Sequence, residues 1–375
     1  MRTETTMATR HRPTVAVVDL DAVRHNVRAI KPQRAEIMAV VKANAYGHGA
    51  SQVARAALEA GATWLGVGLV EEGAALRDDG LEAPILVLTE FPPGSEREAL
   101  AARLTPSLYT FDSLARLTEA AREEGPVGVH VKIDTGMHRA GVAPEYAAGF
   151  LAAVRQAGLG VEGLWTHFAV AEELDDPFTG MQLGLFRSVV AAANDAGFTP
   201  QYLHAANSAA ALSRPESHFN LVRPGIALYG LAPGPHVAGA EELRPALTWK
   251  SAVSLAKRVP AGEAISYGRR YRLAREATIA TVPVGYADGY RRVLGEGGEV
   301  LIGGHRHLVA GTVTMDQITV DCGDEHVAAG DEVVLLGGQG AQRITAEELA
   351  ARMGTIAYEV VCGISERVPR QYVGS

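Results

Sequence analysis

The run Ile37-Met38-Ala39-Val40-Val41-Lys42-Ala43-Asn44-Ala45-Tyr46-Gly47-His48-Gly49 decides how this chain is read. Its first five residues are apolar, continuous and short, the pattern of a strand buried on both faces. After Gly49, the stretch Ala50-Ser51-Gln52-Val53-Ala54-Arg55-Ala56-Ala57-Leu58 opens a helix. Lys42 therefore stands at the C-terminal end of a strand, where the chain breaks into a turn. In a parallel α/β barrel that end is the reactive face, and a partly desolvated amine there becomes a nucleophile toward carbonyls. A Schiff-base lysine is the functional reading. A lysine that caps a strand and snorkels to water is the structural one.

Outward from this run, residues 15–235 alternate short β-rich stretches with amphipathic helical ones, as parallel βα units do. The strand candidates are 37–41, 63–69, 84–89, 106–110, 127–133, 160–166, 201–206 and 219–222, with a further one near 225–229. Between them, Ser113 to Glu124 reads as a helix with Asp112 as N-cap and Gly125 as its stop. About eight such units imply a closed (β/α)8 TIM-type barrel. A doubly wound open sheet would carry a glycine-rich phosphate turn after its first strand, and Lys42-Ala43-Asn44-Ala45 is not one. Past Pro233-Gly234-Pro235 the period changes to alternating strands broken by Gly, Asp and Pro, such as 253–257 and 278–282. Residues 236–375 are expected to form a mainly antiparallel β domain. Its clearest helix runs from Thr345 to Met353, with Thr345 and Glu348 as a capping box and Gly354 as the end.

Bulk properties agree with a two-domain enzyme of small molecules. At 375 residues the chain exceeds one ordinary core. The formal net charge of −8, with no basic stripe, argues against nucleic acid as a partner. The 2 cysteines, Cys322 and Cys362, lie far apart with no metal-ligand spacing, so neither a disulfide framework nor a metal site is expected. Met1 to Thr14 is polar and basic without an apolar core, and no run approaches about 18 continuous apolar residues. A cytoplasmic protein is expected, with Met7 as an alternative start and no membrane association.

Polar residues recur at the ends of later strand candidates. Lys132, Asp134 and Arg139 follow 127–131, His167 follows 163–166, Asn207 and Ser208 follow 202–206, and Arg223 follows 220–222. Barrels often bind phosphate with the loops after their last two strands, a role that suits Ser208 with Arg223-Pro224-Gly225-Ile226. A barrel lysine beside a phosphate cradle points to pyridoxal 5′-phosphate, whose aldehyde needs an amine and whose phosphate needs oriented donors.

Six motifs in order resemble alanine racemase: Ala39 to Gly49, Asp134-Thr135-Gly136-Met137-His138-Arg139, Arg223 to Gly230, Ile265-Ser266-Tyr267-Gly268, Val284 to Tyr290, and Met315-Asp316-Gln317. The resemblance spans about residues 15–373. It implies a pyridoxal-phosphate barrel followed by a β domain, and a head-to-tail homodimer with shared active sites. By the same resemblance, Lys42 holds the cofactor and acts as base on one face of the substrate Cα, and Tyr267 of the partner subunit acts on the other. Arg223 meets the pyridine nitrogen, and His167 bridges Tyr267 and Arg223. Tyr46, Ser208, Gly225, Ile226 and Tyr358 hold the phosphate, with Asn207 beside them. Arg139 and the Met315 backbone position the substrate carboxylate, Tyr286 gates the entrance, and Lys132 is the position often carbamylated in relatives. Ala357 before Tyr358, Glu172, and Arg291 directly after Tyr290 depart from the usual pattern and bear on the shape of the entrance.

These residue types suit racemisation. Removing a Cα proton and returning one to the opposite face needs two bases, and lysine near ~10.4 and tyrosine near ~10 must both be tuned to serve near neutrality. An arginine at the pyridine nitrogen, donor-only and always charged, leaves that nitrogen unprotonated and weakens the electron sink, which disfavours transamination and decarboxylation. The expected reaction is interconversion of L- and D-alanine, supplying D-alanine for peptidoglycan. The competing readings are a racemase for larger amino acids such as serine or lysine, a decarboxylase with an acidic partner at the pyridine nitrogen, and a non-catalytic pyridoxal-phosphate carrier lacking the second domain.

Overall fold

The computed structural model describes residues 12–30, 32, 34–122 and 125–374; the alternative start at Met7 and the expected helix end at Glu124 lie outside the described residues. The chain divides into two compact units. One is Leu20–Pro245, and the other joins the chain up to Asp19 to Ala246–Ser375.

The first unit is a barrel of eight parallel strands: β1 (Glu36–Val40), β2 (Trp64–Val67), β3 (Ile85–Val87), β4 (Leu104–Leu108), β5 (Gly128–Lys132), β6 (Gly160–Trp165), β7 (Tyr202–His204) and β8 (Leu221–Val222). Consecutive strands from β1 to β7 pair in parallel, and β8 returns to β1 through Glu36↔Leu221 and Ile37↔Val222. The seam between β7 and β8 is nearly closed by the Arg223 amide donating to the Ala206 carbonyl (2.9 Å) and the Leu203 amide donating to the Asn220 carboxamide oxygen (2.7 Å). Met38, Trp64, Leu86 and Leu221, from four of these strands, form one buried cluster. On β6, Gly163 faces His130 of β5, and a Cβ on Gly163 would lie 2.5 Å from the His130 ring. A strand glycine thus makes room for a buried imidazole.

The strand expected near 225–229 is instead a 3-10 turn, Ile226–Tyr229. A short apolar run carries no period that separates strand from helix; here all of its side chains are fully buried and Gly230 ends the turn in the left-handed conformation. The helix expected from Ser113 begins earlier, as Phe111–Ala121, because the Thr110 hydroxyl, not Asp112, accepts from the Ser113 amide (3.2 Å). Asp112 then lies in the first turn, where its charge complements the helix dipole.

The second unit is built on a mainly antiparallel sheet. Its path runs Leu255–Val259, Ala277–Val282, Ile318–Asp321, His305–Val309, Glu299–Ile302, Glu332–Gln339, Leu247–Ala252, Val15–Asp19 and Arg370–Val373. Val15–Asp19 pairs antiparallel with Leu247–Ala252 and parallel with Arg370–Val373, which is why the start of the chain belongs to this unit. The strand expected at 253–257 begins later, as Leu255–Val259, and Val253 and Ser254 lie between it and the preceding strand Leu247–Ala252. The helix Ala346–Met353 begins where the Thr345 hydroxyl accepts from the Glu348 amide (3.1 Å) and ends at left-handed Gly354. Among the described residues, no helix is long and apolar enough to cross a membrane.

Candidate active site

Lys42 follows Val41 at the C-terminal end of β1. Lys42 is exposed and stands past the last strand residue. Its Cβ and Cδ lie 3.7 Å from where a Gly68 Cβ would be, so its stem runs close beside the end of β2. Ala43, Asn44, Ala45 and Tyr46 then adopt φ of 52°, 52°, 54° and 52°, a turn of left-handed helix. Each such non-glycine residue costs roughly 1–2 kcal/mol, a strain that persists only where the surroundings hold it. Among the bonds holding it are the Ala45 amide to the Val41 carbonyl (2.7 Å) and the Ala50 amide to the Asn44 carboxamide (2.8 Å).

This turn buries Tyr46 with its ring 4.9 Å from that of Tyr229, whose own hydroxyl donates to the Val40 carbonyl (2.9 Å). The Tyr46 hydroxyl stops 2.5 Å from where a Cβ on Gly225 would sit, so only glycine fits there without displacing it. Beside it the Ser208 hydroxyl accepts from the amides of Gly225 (2.8 Å) and Ala227 (3.3 Å). Ile226 is the first residue of its 3-10 turn, whose leading amides have no acceptor inside the turn. Asn207 caps the helix Ser208–Ser213 through its carboxamide oxygen and the Ala210 amide (3.1 Å). Hydroxyls and backbone amides so gathered suit a phosphate.

Arg223, at the end of β8, is 4% exposed. It donates to the carbonyls of Thr166 (2.7 Å) and Ala205 (3.1 Å), to His204 Nδ1 (3.1 Å) and to His167 Nδ1 (3.3 Å). No described residue accepts from its Nε–H. Burial draws the guanidinium down to about 9, which leaves it cationic at neutral pH. Being donor-only, it fixes the tautomers around it. His204 accepts at Nδ1, so it carries its proton on Nε2 and donates it to His130 Nδ1 at 2.8 Å. His167 likewise accepts at Nδ1 and presents an Nε2–H donor. Burial and then the Arg223 charge lower all three imidazoles, His130 to about 3 and His167 and His204 well below their usual range, so each is neutral.

The surroundings are electropositive. The Arg223 and Lys132 cations lie 4.8 and 4.6 Å from the centre of the Trp165 ring. Burial first, then the charges of Arg139, Arg223 and Lys42, lowers Lys132 to about 8 against the opposing effect of Asp134. Arg139 itself is exposed. Two loops of this rim are joined by buried Gln182: its oxygen accepts from the Ala169 amide (2.9 Å), and its nitrogen donates to the His167 carbonyl (3.1 Å) and the Thr135 hydroxyl (3.3 Å).

In the β unit, Tyr267 is 73% exposed and opens a 3-10 turn after Ser266. The Thr312 hydroxyl donates to the Tyr267 carbonyl (2.8 Å), and the amides of Tyr286 and Ala287 donate to the carbonyls of Thr314 (3.0 Å) and Met315 (3.1 Å). Tyr267, Tyr286 and Met315, all exposed, therefore share one hydrogen-bonded edge of this unit. Tyr358 is half-buried on the helix Ala357–Cys362. His130, His204 and Gln182 did not stand out in the sequence; the one signal was His130 sharing a strand face with Lys132, two residues on.

The chain matches the family models for the alanine racemase N-terminal domain over residues 18–233 and the alanine racemase C-terminal domain over residues 246–372. It is 50% identical to the alanine racemase of Symbiobacterium thermophilum, covering 97% of this chain and 98% of that one. Against the alanine racemase of Frankia casuarinae the identity is 47%, over 96% of each chain. Its structure is similar to that of alanine racemase from Streptomyces lavendulae, a D-cycloserine producer, with a TM-score of 0.93 at 43% identity and 98% of each chain covered. It is also similar to alanine racemase from Bacillus anthracis with bound L-Ala-P, with a TM-score of 0.92 at 39% identity and 98% and 97% covered.

Proposed function

Because the chain belongs to the alanine racemase family, we propose that it interconverts L- and D-alanine with pyridoxal 5′-phosphate bound to Lys42. We place it in the cytoplasm as a homodimer with shared active sites, supplying D-alanine for peptidoglycan. When bound, the cofactor supplies an aldehyde that condenses with amines and a ring that withdraws electrons from the substrate Cα. The barrel residues suit it. Tyr46, Ser208, Gly225, Ile226 and Tyr358 would hold the phosphate, and Asn207 would fix the Ser208 end of that cradle.

The observation that carries the reading is the setting of Arg223. A cation fixed by two carbonyls and two imidazoles, with an Nε–H left over, suits an unprotonated ring nitrogen. A carboxylate at this position would keep that nitrogen protonated, whereas arginine has no proton acceptor. Arg223 therefore limits electron withdrawal and favours return of the proton to Cα over transamination.

Lys42 would take or return the Cα proton on one face, and Tyr267 of the partner subunit on the other. His167 meets the needs of that tyrosine. Neutral and accepting from Arg223 at Nδ1, it has only a donor to offer at Nε2, and a donor favours the phenolate form. Arg139 and the Met315 amide would hold the substrate carboxylate; the Met315 carbonyl is already taken by Ala287. Tyr286 would narrow the entrance and favour a methyl side chain.

Loss of circular dichroism from single-enantiomer amino acids tests this reading, with alanine expected to react faster than serine or lysine. Borohydride reduction and peptide mapping should place the cofactor on Lys42. An adduct on Lys132, Lys250 or Lys257, or alanine left unchanged by cofactor-loaded protein, would overturn it.

A further inference from the structure

We propose that Glu72 is a positioning residue for Lys42, acting through the left-handed turn; the inference rests on the reading of Lys42 as the cofactor-bearing amine. Glu72 lies in the first turn of the helix Val70–Asp78, just after β2. One carboxylate oxygen accepts from the amides of Gly68 (2.8 Å) and Leu69 (3.2 Å). That alone would make Glu72 an ordinary helix cap. The other oxygen leaves the helix and accepts from the Ala43 amide at 2.6 Å, the shortest of the three bonds and made by the residue next to Lys42.

The carboxylate thus ties together the ends of β1 and β2 at the two places that set Lys42. Ala43 is where the chain enters the left-handed region, at φ 52°, and Gly68 is the residue beside which the Lys42 stem runs. Amides bonded to an ionised carboxylate make the stronger, charge-assisted kind of bond. The bond from Ala43 falls on a residue whose left-handed backbone is unfavourable by itself. Glutamine cannot substitute, since its second terminal atom is a donor facing an amide donor. Aspartate falls short by a methylene.

The test uses the full-length protein with and without pyridoxal 5′-phosphate. In Glu72→Gln, hydrogen exchange at the Ala43 amide should accelerate, and kcat for alanine should fall on the order of 10²-fold, as for a displaced reacting group. KM should change far less. Adding Ala43→Gly, which removes the cost of the left-handed conformation, should recover roughly tenfold of kcat; repair of a lost helix cap would not follow from glycine at residue 43. Wild-type exchange at Ala43 in Glu72→Gln, or a loss of kcat that glycine does not recover, would overturn the proposal. If wild-type protein yields no borohydride-trapped adduct on Lys42, the reading of Lys42 fails separately, and with it the positioning role, whatever the exchange shows.

Discussion

The guanidinium of Arg223 meets His204 Nδ1 at 3.1 Å, and His204 in turn reaches His130 at 2.8 Å. A donor-only cation at one end orients every proton along this line. A second proton on either imidazole would set donor against donor, so the arrangement holds its histidines neutral.

Stability should therefore fall in mild acid. His130 has a folded value of about 3 against an ordinary 6.5, so between these limits the unfolded chain binds a proton that the folded chain does not. Stability is full above 6.5 and is lost as pH falls toward about 3, with a slope approaching ~1.4 kcal/mol per pH unit for each such histidine. Urea unfolding of His130→Gln at a series of pH values should show a shallower slope than wild type. An unchanged slope would mean that the His130 proton does not contribute.

Arg223→Lys should lose both function and stability. A lysine cannot reproduce the fork that serves Thr166, Ala205, His204 and His167 together, and each buried acceptor left unsatisfied costs about 1–3 kcal/mol. Racemisation should drop by ~10²–10⁴-fold, because His167 and the cofactor's ring nitrogen would lose their proposed common partner. Chemical denaturation and turnover on the same preparation check both.

In Gly225→Ala, the added methyl would sit 2.5 Å from the Tyr46 hydroxyl. The Tyr46 ring packs on Tyr229, so the hydroxyl should leave the cradle rather than the turn unfold. Losing one hydrogen bond to a charged phosphate corresponds to about 1.5–3 kcal/mol, or roughly 10–150-fold weaker cofactor binding. Equilibrium titration of cofactor-free protein with pyridoxal 5′-phosphate measures this directly.

Inactive Lys42→Ala and Tyr267→Phe protomers, mixed under conditions that allow subunit exchange, should regain activity. Each hybrid dimer would carry one site with both an intact lysine and an intact tyrosine. Confirmed exchange without recovered activity would rule out the shared site.

Much of the candidate site could be read from sequence because it lies in contiguous segments. The strand before Lys42 and the small residues of Arg223-Pro224-Gly225-Ile226 are local patterns, whereas Tyr267 entered only through the family resemblance. Even so, local pattern misjudged Ile226–Tyr229 as a strand and passed over Thr110, two residues before the expected Asp112, as the cap of its helix.

What the chain alone determined is the alternation of βα units, the later change of period, and the residue types at the strand ends. These follow from near-neighbour sterics and hydrophobic patterning, which act within a few residues. Tertiary structure decided the rest. The left-handed course of Ala43 to Tyr46 opposes the intrinsic preference of its residues, and Glu72, 29 positions from Ala43, supports it. Arg223 and His167, 56 positions apart, meet only because the barrel brings their strand ends to one rim. The neutrality of His130 and His204 likewise exists only inside the barrel, where water is excluded and a fixed cation stands beside them. Burial and through-space charge are properties of the folded chain, and no local stretch of sequence contains them.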